Sequence, residues 1–162
     1  MIRVLSVFRR WFDSVVRVSG GRGQATALMP VLLASERDDD YQNLQALLHN
    51  TKWGVERAIS WSDVSGFCDR VVNQVVLLDR HFQGSDWRRS VSSLPNPAAN
   101  RCLILLSDVS DPYLWNELVQ HGGFDVLARP FECSALFRTL AFAQRHCEAG
   151  WPPLHLPQEK GG

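Results

Sequence analysis

The chain has 162 residues, 45% of them hydrophobic and 21% charged. That is enough apolar side chain for one packed domain and too much for a disordered or fibrous polymer. Seventeen Lys and Arg balance seventeen Asp and Glu, which argues against a protein that coats nucleic acid or membrane by bulk charge. The balance is uneven, because residues 1–29 hold five Arg and one acid, Asp13, for +4, leaving −4 on residues 30–162.

The N-terminal stretch places Val4, Val7, Phe8, Trp11, Val15 and Val18 at offsets of three and four, with arginines between them. This reads either as an amphipathic helix for a membrane surface or a partner, or as an extension ahead of the folded unit. It lacks the run of about 20 apolar residues that a spanning helix requires and the uninterrupted apolar stretch of a signal peptide. A glycine-rich linker at 20–23 follows, so the expected division is an Arg-rich extension over 1–28, a folded domain over 29–148 and a tail over 149–162.

Pro30 to Ala34 is a short continuous apolar run, which predicts a strand buried on both faces. The acids Asp38–Asp40 then open an amphipathic segment carrying Leu44, Leu47 and Leu48, and acids in a first helical turn suit the helix dipole. Val55–Ile59 predicts a weaker strand, and Trp61–Val72 a helix capped by Ser60 or Ser62. Gln74–Asp79 is the clearest strand, followed by a helix from Trp87 to Leu94. Cys102–Ser107 predicts another buried strand, and Asp111-Pro112 starts a helix that Gly122-Gly123 stops. Phe124–Ala128 is the fifth strand and Phe131–Cys147 the fifth helix.

The four cysteines, Cys68, Cys102, Cys133 and Cys147, form no Cys-x-x-Cys pair. They read as reduced thiols of a cytoplasmic protein, with Cys102 a small buried hydrophobe, and not as a zinc site. Trp115, Leu118 and Val119 have the i, i+3, i+4 spacing of a core-facing stripe, although an exposed Trp115 would instead suit an interface.

Alternating strands and helices with apolar strands imply an α/β fold, a five-stranded parallel sheet covered by helices on both faces. Ligands of such sheets sit beyond the carboxyl ends of the strands, which directs attention to Ala34, Ser35, Asp79, Ser107 and Arg129. An acid, a hydroxyl and a cation converging there suit phosphoryl acceptance: the carboxylate attacks, and the other two stabilise the transferred charge. Asp79 is equally readable as a polar strand terminator or as an ion-pair partner of Arg129.

Residues 30–148 resemble the receiver domain of bacterial two-component response regulators, the CheY-like family with a flavodoxin-like fold. Val75-Val-Leu-Leu-Asp79 looks like the strand carrying the phospho-accepting aspartate, and Leu103-Ile-Leu-Leu-Ser107 like the one ending in the switch Ser/Thr. Gly122-Gly-Phe-Asp-Val-Leu-Ala-Arg-Pro-Phe131 is similar to the family's Gly-Ala-x-x-Tyr-Leu-x-Lys-Pro-Phe signature. The resemblance implies Asp79 as phospho-acceptor, Ser107 and Arg129 as phosphate-stabilising residues, and a magnesium ion. It also implies a partner surface on the fourth helix, last strand and fifth helix, with Trp115, Val126 and Phe131 as its candidates.

The departures are specific. Ala34 and Ser35 stand where the family carries its metal-binding acids, leaving Glu36 or Asp38 as substitute ligands beside Asp79. Arg129 replaces the lysine, and the two cations are not interchangeable at a tight phosphoryl site. Val126 replaces the aromatic switch residue. The expectation is therefore a non-enzymatic, degenerate receiver (a pseudo-receiver) of two-component phosphorelay signalling. Its partner would be a histidine kinase, a downstream effector or a second copy. Alternatives are a working receiver phosphorylated on Asp79, and a small flavodoxin-like enzyme or ligand binder, for which no Gly-x-Gly-x-x-Gly or Walker loop follows the first strand. The 15 residues after Cys147 are too few for a helix-turn-helix domain, so direct nucleic-acid binding is not expected.

Overall fold

The apolar runs become strands and the amphipathic segments helices, in strict alternation. The computed structural model describes residues 28–94, 100–109 and 111–148. The readings placed on the Arg-rich segment and on the C-terminal tail fall outside these residues. The elements are β1 (Met29–Ala34), α1 (Asp38–Leu48), β2 (Trp53–Ala58), α2 (Trp61–Arg70) and β3 (Asn73–Asp79). A 3-10 turn (Phe82–Gly84), α3 (Trp87–Ser93), β4 (Asn100–Ser107), α4 (Pro112–Gln120), β5 (Asp125–Ala128) and α5 (Cys133–Glu148) complete them.

All five strands are parallel, in the order β2-β1-β3-β4-β5. The chain winds outward from β1 to β2 and then reverses to β3, so the crevice of the reversal lies beyond the ends of β1 and β3. Period-two alternation divides the core. Val31, Leu33, Val75, Leu77, Ile104 and Leu106 face α1 and α5, whereas Leu32, Ala34, Val76, Leu78, Leu103 and Leu105 face α2, α3 and α4. Cys102 packs in the first of these layers, and none of the four cysteines forms a disulfide.

Several boundaries differ from the sequence expectation. β2 begins at Trp53, whose ring is buried, and Ile59 lies outside it and is exposed. Helix α5 begins at Cys133 and not at Phe131, its first turn closing with Leu136 N–H donating to the Glu132 carbonyl at 2.9 Å. Ser60, of the two candidate caps, caps α2 in a capping box with Asp63.

The stop after α4 has the form the paired glycines imply. Gly122 takes φ +89°, and the N–H groups of Gly122 and Gly123 donate to the carbonyls of Val119 and Leu118 at 3.0 and 2.9 Å, a Schellman motif. A methyl on Gly123 would lie 2.3 Å from Leu118 Cδ1, 2.4 Å from its Cγ and 3.1 Å from its carbonyl oxygen, and Leu118 is fully buried. Gly123→Ala is therefore expected to destabilise the fold by about 1–3 kcal/mol, read as a lowered urea midpoint with an unchanged slope.

Candidate functional site

The site is built where the strands end. Leu78 pairs with Ala34 of β1, Asp79 with Leu106 of β4, and Ser107 with Ala128 of β5. Ser35, Asp79, Ser107 and Arg129 thus emerge at one edge of the sheet. The Arg129–Pro130 bond is cis, and Arg129 N–H donates to the Ser107 carbonyl at 3.0 Å, which ties the last loop to β4.

The arginine organises the mouth. Its Nε donates to Asp40 Oδ1 at 2.8 Å and its Nη2 to Asp40 Oδ2 at 2.7 Å, a two-pronged pair. The same Nη2 donates to Asp79 Oδ2 at 3.1 Å, and Nη1 lies 3.6 Å from Asp108. The side chains of Arg129, Asp40 and Asp79 are 9%, 3% and 10% exposed, so these charges interact largely out of water. Ser35 Oγ donates to Asp40 Oδ2 at 2.6 Å. Asp79 Oδ1 accepts the backbone N–H of His81 at 2.9 Å, and the His81 side chain is exposed.

Burial alone would raise the Asp40 pKa. The hydrogen bonds from Arg129 and Ser35, with the charges of Arg129 and Arg37, outweigh it and hold the carboxyl below its ordinary 3.8. Burial would likewise lower the Arg129 pKa, but the Asp40 hydrogen bond and the charges of Asp40, Asp79 and Asp108 raise it. The guanidinium and the Asp40 carboxylate each keep the other charged.

Of the residues singled out from the sequence, Asp79 and Arg129 are brought together, in the ion pair that was one reading of Asp79. Ser107 lies at the same edge, buried, with its Oγ accepting the Val109 N–H at 3.2 Å. Glu36 and Asp38 have their carboxylates committed elsewhere. Glu36 accepts from the Gln83 backbone and side-chain amides at 3.3 and 2.6 Å, and Asp38 pairs with Arg57 at 2.7 Å. The acid that joins Asp79 is Asp40, which sequence reasoning grouped with its neighbours as a helix-start acid. A signal for it exists: Asp40 is in phase with Leu44 and Leu48, the buried stripe of α1. Val126 and Phe131 are half-buried, packed on opposite faces of the sheet. Trp115 is 46% exposed, and the core-facing stripe of α4 is instead Leu114 and Leu118.

No protein-family model matches the chain, and no curated protein does. Solved structures do. The signal receiver domain of a LuxO repressor protein from Vibrio parahaemolyticus superposes with TM-score 0.67 at 15% identity, over 76% of this chain and 95% of that one. The chemotaxis response regulator CheY4 of Vibrio cholerae gives 0.63 at 17%, over 72% and 99%. The signal receiver domain of an HD domain-containing protein from Pseudomonas fluorescens gives 0.64 at 18%, over 82% and 97%. The chain has the fold of CheY-like receiver domains, and at these identities the likeness is one of fold.

A magnesium ion beside Asp79 is what the sequence resemblance implies, and the residues present do not fit one. β1 ends in Ala34 and Ser35, which offer no carboxylate, and the carboxylates of Asp40 and Asp79 are bonded to a guanidinium. Among the described residues no group of three His, Cys, Asp or Glu is arranged to hold a metal. No helix among them is long and apolar enough to cross a membrane.

Proposed function

We propose that this chain is a non-enzymatic, receiver-like regulatory module of bacterial two-component signalling, acting in the cytoplasm through protein–protein contacts, with phosphotransfer at Asp79 weakened or lost. The observation that carries the reading is the engagement of Asp79. A carboxylate that attacks phosphorus needs an oxygen open to the donor and a cation free to receive the phosphoryl charge. Here one oxygen accepts from Arg129 and the other from His81 N–H, and the residue is 7% exposed. Among the described residues the cation in contact with it, Arg129, is shared with Asp40.

The partner surface lies along the sheet edge formed by β5, flanked by α4 on one face and α5 on the other. Tyr113, Trp115 and Phe142 are the large exposed side chains on those helices, at 85%, 46% and 56%. Isolated exposed apolar groups are ordinary, but aromatics on one edge of a signalling fold suit a protein partner, either a kinase or effector or a second copy.

Incubating the full chain with acetyl phosphate and Mg²⁺ is expected to leave its intact mass unchanged and its Trp87 fluorescence flat. A one-phosphoryl mass gain abolished in Asp79→Ala would overturn the loss of phosphotransfer and make the chain a working receiver.

A further inference from the structure

Two nearly buried carboxylates do not share a pocket in their ionised forms unless a positive charge lies between them. In this pocket that charge is covalently part of the protein. The Arg129 guanidinium contacts both oxygens of Asp40 and one of Asp79, at 2.7–3.1 Å. It closes a chain that continues through Asp108 to Arg37, whose Nη1 donates to Asp108 at 3.1 Å. The Asp40 carboxylate enters from the first turn of α1, six residues beyond the end of β1, and Ser35, the residue after β1, donates to it.

We infer that Arg129 is a tethered cation that takes the place of a divalent metal between Asp40 and Asp79, so that the pocket is complete without Mg²⁺, and that these acids bind a divalent ion once the guanidinium is removed. The inference deepens the reading of the chain as a receiver-like module and rests on it. Its chemistry is a comparison of cations. A guanidinium offers planar, directed donors that satisfy carboxylate oxygens one by one. A divalent ion would gather the same oxygens around a single centre, with water completing its shell. Both offset the acids, the guanidinium with one positive charge and the divalent ion with two, but the arginine cannot leave, and a pocket held together by a side chain does not respond to metal concentration.

The test is thermal unfolding of the full chain with MgCl2 or MnCl2 against equal ionic strength of NaCl. Wild type is expected to show the same Tm in all three salts. Arg129→Met, which keeps the apolar stem and removes the charge, is expected to be less stable in NaCl. It should recover about 5 °C in the divalent salts at concentrations well above the dissociation constant. Arg129→Met with Asp40→Asn should lose that recovery. A second measurement needs no variant: Mn²⁺ should leave the wild-type amide resonances of residues 35–40 and 79–81 unbroadened. Selective broadening there, a divalent-dependent Tm in wild type, or an Arg129→Met protein indifferent to both metals would each overturn the inference. If the wild type takes phosphate on Asp79 the reading beneath it fails. If it takes none while Arg129→Met ignores metal, only the tethered-cation inference fails.

Discussion

Asp40→Asn is expected to cost the fold about 3 kcal/mol, measured by chemical denaturation, whereas Asp38→Asn, two residues earlier in the same helical turn, should cost less than about 1 kcal/mol. The two acids have the same chemistry and differ in where they point. Asp38 is 77% exposed and pairs with Arg57 in contact with water, so its attraction is screened and partly spent on ordering two long side chains. Asp40 is 3% exposed and takes two hydrogen bonds from Arg129 and one from Ser35. An amide in its place offers one acceptor oxygen, turns an NH2 toward donors that already point at it, and leaves the buried guanidinium short of its main counter-charge. Asp79 and Asp108 still face Arg129, which keeps the cost near the lower end for a broken buried pair. A loss no larger than that of Asp38→Asn would show that the pocket relaxes around the missing charge.

The same pair sets an acid limb. The folded-state pKa of Asp40 is lower than its ordinary 3.8, so its contribution to stability is complete above the unfolded value. It is lost as pH falls through the lower folded value, because the unfolded chain then takes up the proton more readily. Between neutrality and the unfolded value this group adds no slope. Below it the wild type should lose stability with falling pH more steeply than Asp40→Asn, whose residue 40 does not titrate.

Much of the architecture was legible from strand composition alone. Val31–Ala34, Val75–Leu78 and Cys102–Leu106 are continuous apolar runs because both faces of those strands are buried, and that condition is met in a parallel sheet sheathed by helices. Helix ends were legible where local backbone chemistry decides them, as at the start beside Ser60 and the stop at Gly122-Gly123. The site was only half legible. Asp79, Ser107 and Arg129 lie at strand ends, and the topology of the sheet brings strand ends together. Asp40 lies on a helix, where three acids in a row look alike until the phase of the buried stripe is extended back through Leu48 and Leu44. A carboxylate in phase with an apolar stripe at a helix start has a partner waiting at the sheet mouth, and the partner here is 89 residues away. Local pattern carries no information about that distance.

The largest effect on association is expected from Trp115→Ala, which should weaken the contact proposed for the β5 edge about thirtyfold or more, as for an anchoring aromatic, while moving fold stability by less than about 1 kcal/mol. Three consecutive residues of α4 explain the separation of the two effects. Tyr113 is 85% exposed, Leu114 4% and Trp115 46%, so a step of about 100° per residue turns the chain from solvent into the core and back out to the flank. The apolar stripe that holds α4 to the sheet is Leu114 and Leu118, and the indole lies beside it. Leu118→Ala is the control. The residue is fully buried in the second core layer, against the sheet, and its truncation should cost about 2–5 kcal/mol. Sedimentation equilibrium reads self-association, and calorimetry on the same samples reads stability. A Trp115→Ala chain that unfolds like Leu118→Ala would make the indole part of the core. One that folds and associates as the wild type does would remove Trp115 from the contact and overturn its anchoring role.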